Sequence, residues 1–211
     1  MRLTEPMTLA TDYLMGAVAL VLAVLLFRQG ESDSQAAMRL WASALAMTAL
    51  ASFVGGSYHG FVEMLPPVVS ARMWRLTLAA TGVGSAALLA AAVVAGSTGA
   101  LRRALLGVVV AKLACYLVLI WFRTEFITVI VDYTLALVGV VLLAWLSGSS
   151  GLTGAAGWIT AGVVVSVVAA LIQALRVAPH PQFNHNDLFH LVQTGALYLL
   201  YRGGLLIRDI P

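Results

Sequence analysis

The sequence predicts an all-α integral membrane protein: one bundle of seven transmembrane helices, with residues 1–211 forming a single domain. Three observations carry that expectation. The chain is 61% hydrophobic and 10% charged, whereas a soluble domain holds about 25% charged and about 45–50% apolar residues. Its mean hydropathy is +0.97, more apolar surface than a water-soluble domain of this size can bury. Finally, seven stretches reach the roughly 20 apolar residues that a bilayer-crossing helix needs: about 12–28, 37–61, 73–97, 101–121, 125–147, 153–175 and 186–207.

Span 1 is read as a retained helix, not a cleaved leader. Glu5 and Asp12 precede it where a basic region is expected, and no small-residue cleavage site follows. Span 2 follows the polar turn Gly30–Glu31–Ser32–Asp33–Ser34, and span 3 follows Pro66–Pro67. The Ala/Gly-rich composition of span 3 suits close helix packing. Ser97–Thr98–Gly99 separates it from span 4, which carries Lys112, the only lysine. Span 5 carries Asp132, and Ser147–Gly148–Ser149–Ser150–Gly151 leads into span 6. Span 7 follows Pro179–His180–Pro181. No strand alternation competes, and in lipid the backbone must satisfy its own hydrogen bonds, which favours helices.

Seven crossings put the termini on opposite sides. The side of the N-terminus holds Arg2, Arg72, Arg75, Arg123 and Arg176, and the other holds Arg28, Arg39, Arg102, Arg103, Arg202 and Arg208. That small excess orients the C-terminus to the cytoplasm and the N-terminus outside. Abundant arginine and alanine point to a bacterial plasma membrane. The single Cys115 excludes an internal disulfide framework or a cysteine-rich metal site. A scattered net charge of +3 gives no sign of nucleic-acid binding, and leaves membrane lipid as the expected substrate or ligand.

Chemistry collects at the N-terminal face. His59 ends span 2, His180 lies in the 6–7 loop, and His185 and His190 open span 7. Asp12 stands at the same face, Asp132 about two turns in from it, and Gln173 near the end of span 6. Ionisable groups in spans are costly and mark sites or partners, and histidines with carboxylates are a zinc ligand set. The plainer readings are a helix cap for Asp12 or Asp187, an interfacial position for each histidine, and an ion pair for Lys112 and Asp132. Those last two sit at similar depth in adjacent antiparallel spans.

Seven spans, a histidine ending span 2 and two opening span 7 resemble the CREST superfamily of membrane hydrolases, which includes alkaline ceramidases and progestin and adipoQ receptors. Its pattern is Ser-x-x-x-His in span 2, an Asp near span 3 and His-x-x-x-His in span 7. The resemblance implies zinc held by His59, His185 and His190, and hydrolysis of a lipid amide or ester. Asp12, Glu63 or Asp132 would orient ligands or act as base, and Ser52 or Ser57 would steady the carbonyl. Departures are visible. Gly55 stands four residues before His59, no aspartate opens span 3, and His185 and His190 are five apart. Phe183–Gln193 is also similar to a bacterial family of seven-span proteins. Two further readings stay open: a non-enzymatic receptor, transporter or ligand-binding protein with a polar pocket, and a haem protein ligated by His59 and His190.

Overall fold

The computed structural model describes residues 3–148 and 151–210. Arg2, Ser149 and Ser150, which entered the sequence reading, lie outside them. Seven α-helices follow in order: α1 (Pro6–Ser32), α2 (Ala36–Phe61), α3 (Pro67–Gly96), α4 (Gly99–Phe122), α5 (Ile127–Leu146), α6 (Ala156–Ala174) and α7 (His185–Gly204). A 3₁₀ turn at Val62–Met64 extends α2, and an isolated bridge joins His180 to Phe183. No strand is formed among the described residues.

The first six helices are each long and apolar enough to cross a membrane. The seventh is not among them, so the expected count of seven crossings stands at six by length and composition. The reason lies in its sequence, which opens on His185, Asn186, Asp187 and His190 and continues through Gln193 and Thr194.

Helices α1 and α3 begin about two turns before the apolar runs that predicted them. Each starts on a proline, Pro6 and Pro67. Proline suits a first helical position because the N–H it lacks would have no partner there. Apolarity finds the membrane-embedded part of a helix and misses its polar first turns. Asp12 therefore lies inside α1 and does not cap it. The other capping expectation holds. The Asn184 side chain accepts from the backbone N–H groups of Asn186 and Asp187, while the Asp187 carboxylate accepts from the N–H of Asn184 at 2.8 Å, a complete capping box.

The helices pack as a ring. α1 lies on α2, α2 on α3, α3 on α5, α5 on α6, α6 on α7, and α7 closes back onto α1. Trp41, Met38, Leu26, Leu88, Ile159 and Leu200 fill the interior toward one end. At that end the Asp209 carboxylate accepts from the first N–H groups of α2, Ala36 and Ala37, at 2.7 Å each. Two donors that no residue of α2 could satisfy from within the helix are thus met by the C-terminal tail.

Helix α4 stands outside the ring against α3, with only Val109, Tyr116 and Ile120 buried. Apolar packing over so few residues is supplemented by polar pins. Lys112 Nζ donates to Asp132 Oδ1 on α5 at 2.7 Å and to Ser85 Oγ on α3 at 2.9 Å, and Ser85 Oγ donates to Asp132 Oδ2. Tyr116 donates to the carbonyl of Leu78 at 2.9 Å. The Lys112–Asp132 pair expected from depth is present.

Removing one partner of a buried ion pair leaves a charge without compensation and costs about 3–5 kcal/mol. Lys112→Met is expected to lower the thermal unfolding midpoint in detergent, and adding Asp132→Leu to recover much of the loss. A harmless single substitution would refute the role given to the pair.

Candidate functional site

The ring encloses a cavity of about 230 Å³. Its walls come from α1, α2, α3, α5, α6 and α7, and none from α4. The apolar part is built from Met15, Val129, Ile130, Leu137, Val167, Ala170 and Phe189. The polar part gathers Asp12, Ser52, His59, Gln173, Asn186, His190 and Gln193.

His190 and Asp12 form its centre. Both are buried, and His190 Nε2 lies 3.2 Å from Asp12 Oδ1. The other ring nitrogen, Nδ1, lies 3.0 Å from Thr11 Oγ1. That hydroxyl is also 3.0 Å from the carbonyl of Met7, and it has one proton to give. If the proton goes to the carbonyl, Thr11 accepts from Nδ1–H, and the neutral ring then accepts at Nε2 from a protonated Asp12. If Thr11 donates to Nδ1, Nε2–H donates to the Asp12 carboxylate. In both arrangements one proton lies between Nε2 and Oδ1; the two differ by one proton overall, Asp12 being neutral in the first and ionised in the second.

Close approach of α1 to α2 makes this possible. A β-carbon on Gly56 would stand 2.8 Å from Asp12 Cβ, and one on Gly55 would stand 3.3 Å from Thr77 Cγ2 of α3. With hydrogen at both places, α1 reaches into the ring far enough for Asp12 to meet α7.

A second, outer pair lies at the mouth. His59 Nδ1 is 3.4 Å from Glu5 Oε2. The His59 ring stands edge-on to Trp74, centroids 6.0 Å apart. Thr8 connects Glu5 to α7: its Oγ1 lies 3.1 Å from Glu5 Oε2 and 2.8 Å from Asp187 Oδ1. The hydrogen bond and charge of His59 hold the Glu5 carboxyl below its ordinary value of 4.5, against the opposing effect of burial.

Of the residues singled out in the sequence, the structure brings Asp12, Ser52, His59 and His190 into one cavity. It does not bring His185 there. The helix begins at His185, and five residues on a helix turn about 140° from alignment. Asn186, four residues before His190, faces the cavity and accepts from Gln173 Nε2 at 2.9 Å. Asp132 lines no part of the cavity and belongs to the Lys112 cluster. Asp187 is engaged by its capping box and Thr8. Ser57 donates to the carbonyl of Phe53 at 2.7 Å and also pairs with Tyr13. Thr8 and Thr11 escaped the sequence reading. Their signal was the i, i+3, i+4 spacing of Thr8, Thr11 and Asp12 on one helical face.

Two ligands on one tetrahedral zinc, with bonds of about 2.0–2.2 Å, stand roughly 3.3 Å apart. The 3.2 Å between His190 Nε2 and Asp12 Oδ1 fits two such corners. Among the described residues, however, no group of three His, Cys, Asp or Glu is gathered closely enough to hold a metal ion. The set His59, His185 and His190 is not assembled. A haem iron finds no ready ligand in His190, since both ring nitrogens face protein partners.

The profile of a family of unknown function, DUF6962, matches residues 7–209. The chain belongs to that family. No curated protein and no solved structure matches the chain. In this DUF6962 member the matched region spans all seven helices, with the cavity, the Lys112 cluster and the C-terminal Asp209 inside it.

Two outcomes follow. Gly56→Ala places a methyl group against Asp12 where no flexible side-chain end can yield. We expect a loss of about 1–3 kcal/mol, the usual cost of overpacking, read as a lower unfolding midpoint; an unchanged midpoint counts against the close α1–α2 contact. The lowered Glu5 pKa stabilises the fold above pH 4.5, and that contribution fades as pH falls through the folded-state value. Between pH 6 and 3 the wild type should lose stability more steeply than Glu5→Gln. Parallel curves would show that the Glu5–His59 contact contributes nothing.

Proposed function

We propose that the protein is a membrane-embedded binding protein, which holds one amphipathic, lipid-like molecule with its polar end against His190 and Asp12. The observation that carries this reading is the composition of the cavity: apolar over most of its wall, with a few convergent polar groups at one face. That is the general form of a small-molecule site. Most polar atoms there already have protein partners, which suits recognition by a prearranged surface.

On this reading α7 is the seventh crossing. Its 20 residues span about 30 Å, the thickness of the hydrocarbon core. Asn186, His190 and Gln193 face the ring interior, and Asp187 and His190 are buried. The N-terminus and the cavity mouth then face outward and the C-terminus lies in the cytoplasm of a bacterial cell, the orientation that the arginine distribution favours.

The second reading is the zinc-dependent hydrolase of a lipid amide or ester that the CREST resemblance implies. It is favoured by the 3.2 Å spacing of His190 and Asp12 and by His59 in the same wall. Zinc would supply a bound water whose pKa falls to about 7, and so a hydroxide for attack on the carbonyl. His190 and Asp12 would be two of its ligands, with Thr11 orienting the His190 ring through Nδ1, and His59 would have to move toward them to supply a third. Ser52, in the same wall, would contact the carbonyl.

Native mass spectrometry of the purified protein separates these outcomes. We expect one lipid-sized adduct per chain, reduced about tenfold in Ala170→Trp, which fills the cavity from α6. No adduct in the wild type, or equal adducts in both proteins, would sink the binding reading. Stoichiometric zinc lost in His190→Ala, with turnover of a lipid amide or ester, would replace it with the hydrolase.

A further inference from the structure

Charge around the cavity constrains what its occupant can be. Five ionisable side chains lie in or beside its polar end in two groups: Glu5, His59 and Asp187 in one, Asp12 and His190 in the other. Glu5 touches His59, Asp12 touches His190, and Thr8 joins Glu5 to Asp187. With all three carboxyls ionised and both imidazoles protonated, the five carry one net negative charge; with Asp12 protonated beside a neutral His190, Glu5 and Asp187 against a protonated His59 leave the same charge. A neutral His59 makes either count one unit more negative. Among the described residues no lysine or arginine lines the cavity. The described arginines of this face, Arg72, Arg75, Arg123 and Arg176, are exposed. A carboxylate or phosphate brought here would leave water for a low-dielectric site where no described lysine or arginine meets it and the imidazoles already face carboxyls, a costly transfer.

The shape of the ring adds a second constraint. Helices α5 and α6 meet near one end, where Trp145 Nε1 donates to Thr160 Oγ1 at 2.9 Å. Further along, Thr134 of α5 and Val167 of α6 line the cavity and are exposed at the same time, Val167 by 40%. The cavity therefore opens sideways between these two helices, toward the apolar face that a bilayer would cover. Its 230 Å³ is below the roughly 300 Å³ at which ligand pockets usually begin. The enclosed part has room for a head group and the start of a chain, and the cleft leads the remainder outward along Ile130 and Ala170.

We propose that the occupant is a single-chain amphiphile whose head group carries no negative charge and whose chain lies in the cleft between α5 and α6, and that the carboxylates around His59 and His190 exclude anionic head groups. The proposal rests on the binding reading above and narrows it to a ligand class. Neutral hydroxyl or amide groups find the donors and acceptors of Asn186, Gln193 and Asp12 in the wall without bringing in an uncompensated charge.

The test uses the full chain in phosphatidylcholine nanodiscs at pH 7. Three photoactivatable probes share one acyl chain with a diazirine in it: a monoacylglycerol, a fatty acid and a lysophosphatidate. Labelled peptides are identified by mass spectrometry. The monoacylglycerol is expected to label the α5 and α6 segments around Thr134 and Val167, about tenfold more than either anion. Glu5→Gln should raise labelling by the anions, and Val167→Trp should remove most labelling by the monoacylglycerol while the protein keeps its unfolding midpoint. Equal or stronger labelling by an anion overturns the charge argument. Undiminished labelling of Val167→Trp overturns the cleft. Failure of all three probes to label any cavity residue is a different result, and it overturns the binding reading itself.

Discussion

A charged or amide side chain inside an apolar helical bundle finds its partner on another helix, because lipid supplies none and the carbonyls of its own helix, which serve serine and threonine, do not compensate a charge. This constraint explains most of what distinguishes the structure. It joins Asp12 of α1 to His190 of α7, Lys112 of α4 to Asp132 of α5 and Ser85 of α3, and Gln173 of α6 to Asn186 of α7. Each contact selects one arrangement of helices whose apolar surfaces would pack in many ways. Apolar contact supplies bulk cohesion, and the polar pairs fix register and rotation.

The same requirement separates the two charged clusters into different roles. Lys112 and Asp132 are complementary charges at 2.7 Å, with Ser85 bonded to both. The cluster lines no part of the cavity, and its effect is to hold the outer helix α4 on the ring. Asp12 and His190 share a proton position and stand in the wall of a cavity. A polar pair in the wall of an open space can meet a ligand, which a closed ion pair away from the cavity does not. Burial alone would not distinguish them, since both clusters are buried.

Closure of the ring depends on glycine as well as on polar pairing. Gly55 and Gly56 remove the two β-carbons that would hold α2 away from α1 and α3. The polar end of α7 then packs beside α1, which explains why the least apolar helix carries much of the site. Its capping box and the Thr8–Asp187 bond satisfy the first turn of α7 before it enters the ring. Asp187 is consumed in that task, and His190, one turn further, is left for the cavity.

Composition and the spacing of apolar runs were enough to determine an all-helical chain, the order of its helices and the face at which histidines and carboxylates gather. These properties are local or additive: hydropathy is a sum along the chain, and depth follows from a fixed rise per residue. Depth also made the Lys112–Asp132 pair legible, because adjacent antiparallel helices leave little choice of partner. Rotation about each helix axis was the quantity that sequence left undetermined. A shift of one residue turns a side chain by about 100°. That shift separates His185, outside the cavity, from Asn186, inside it. The ring order was hidden as well, since closure of α7 onto α1 joins residues 179 positions apart, as in Thr8 to Asp187 and Thr11 to His190. Only packing of the whole chain decides which distant faces meet, because every helix must satisfy its polar groups and fill its neighbours' grooves at once.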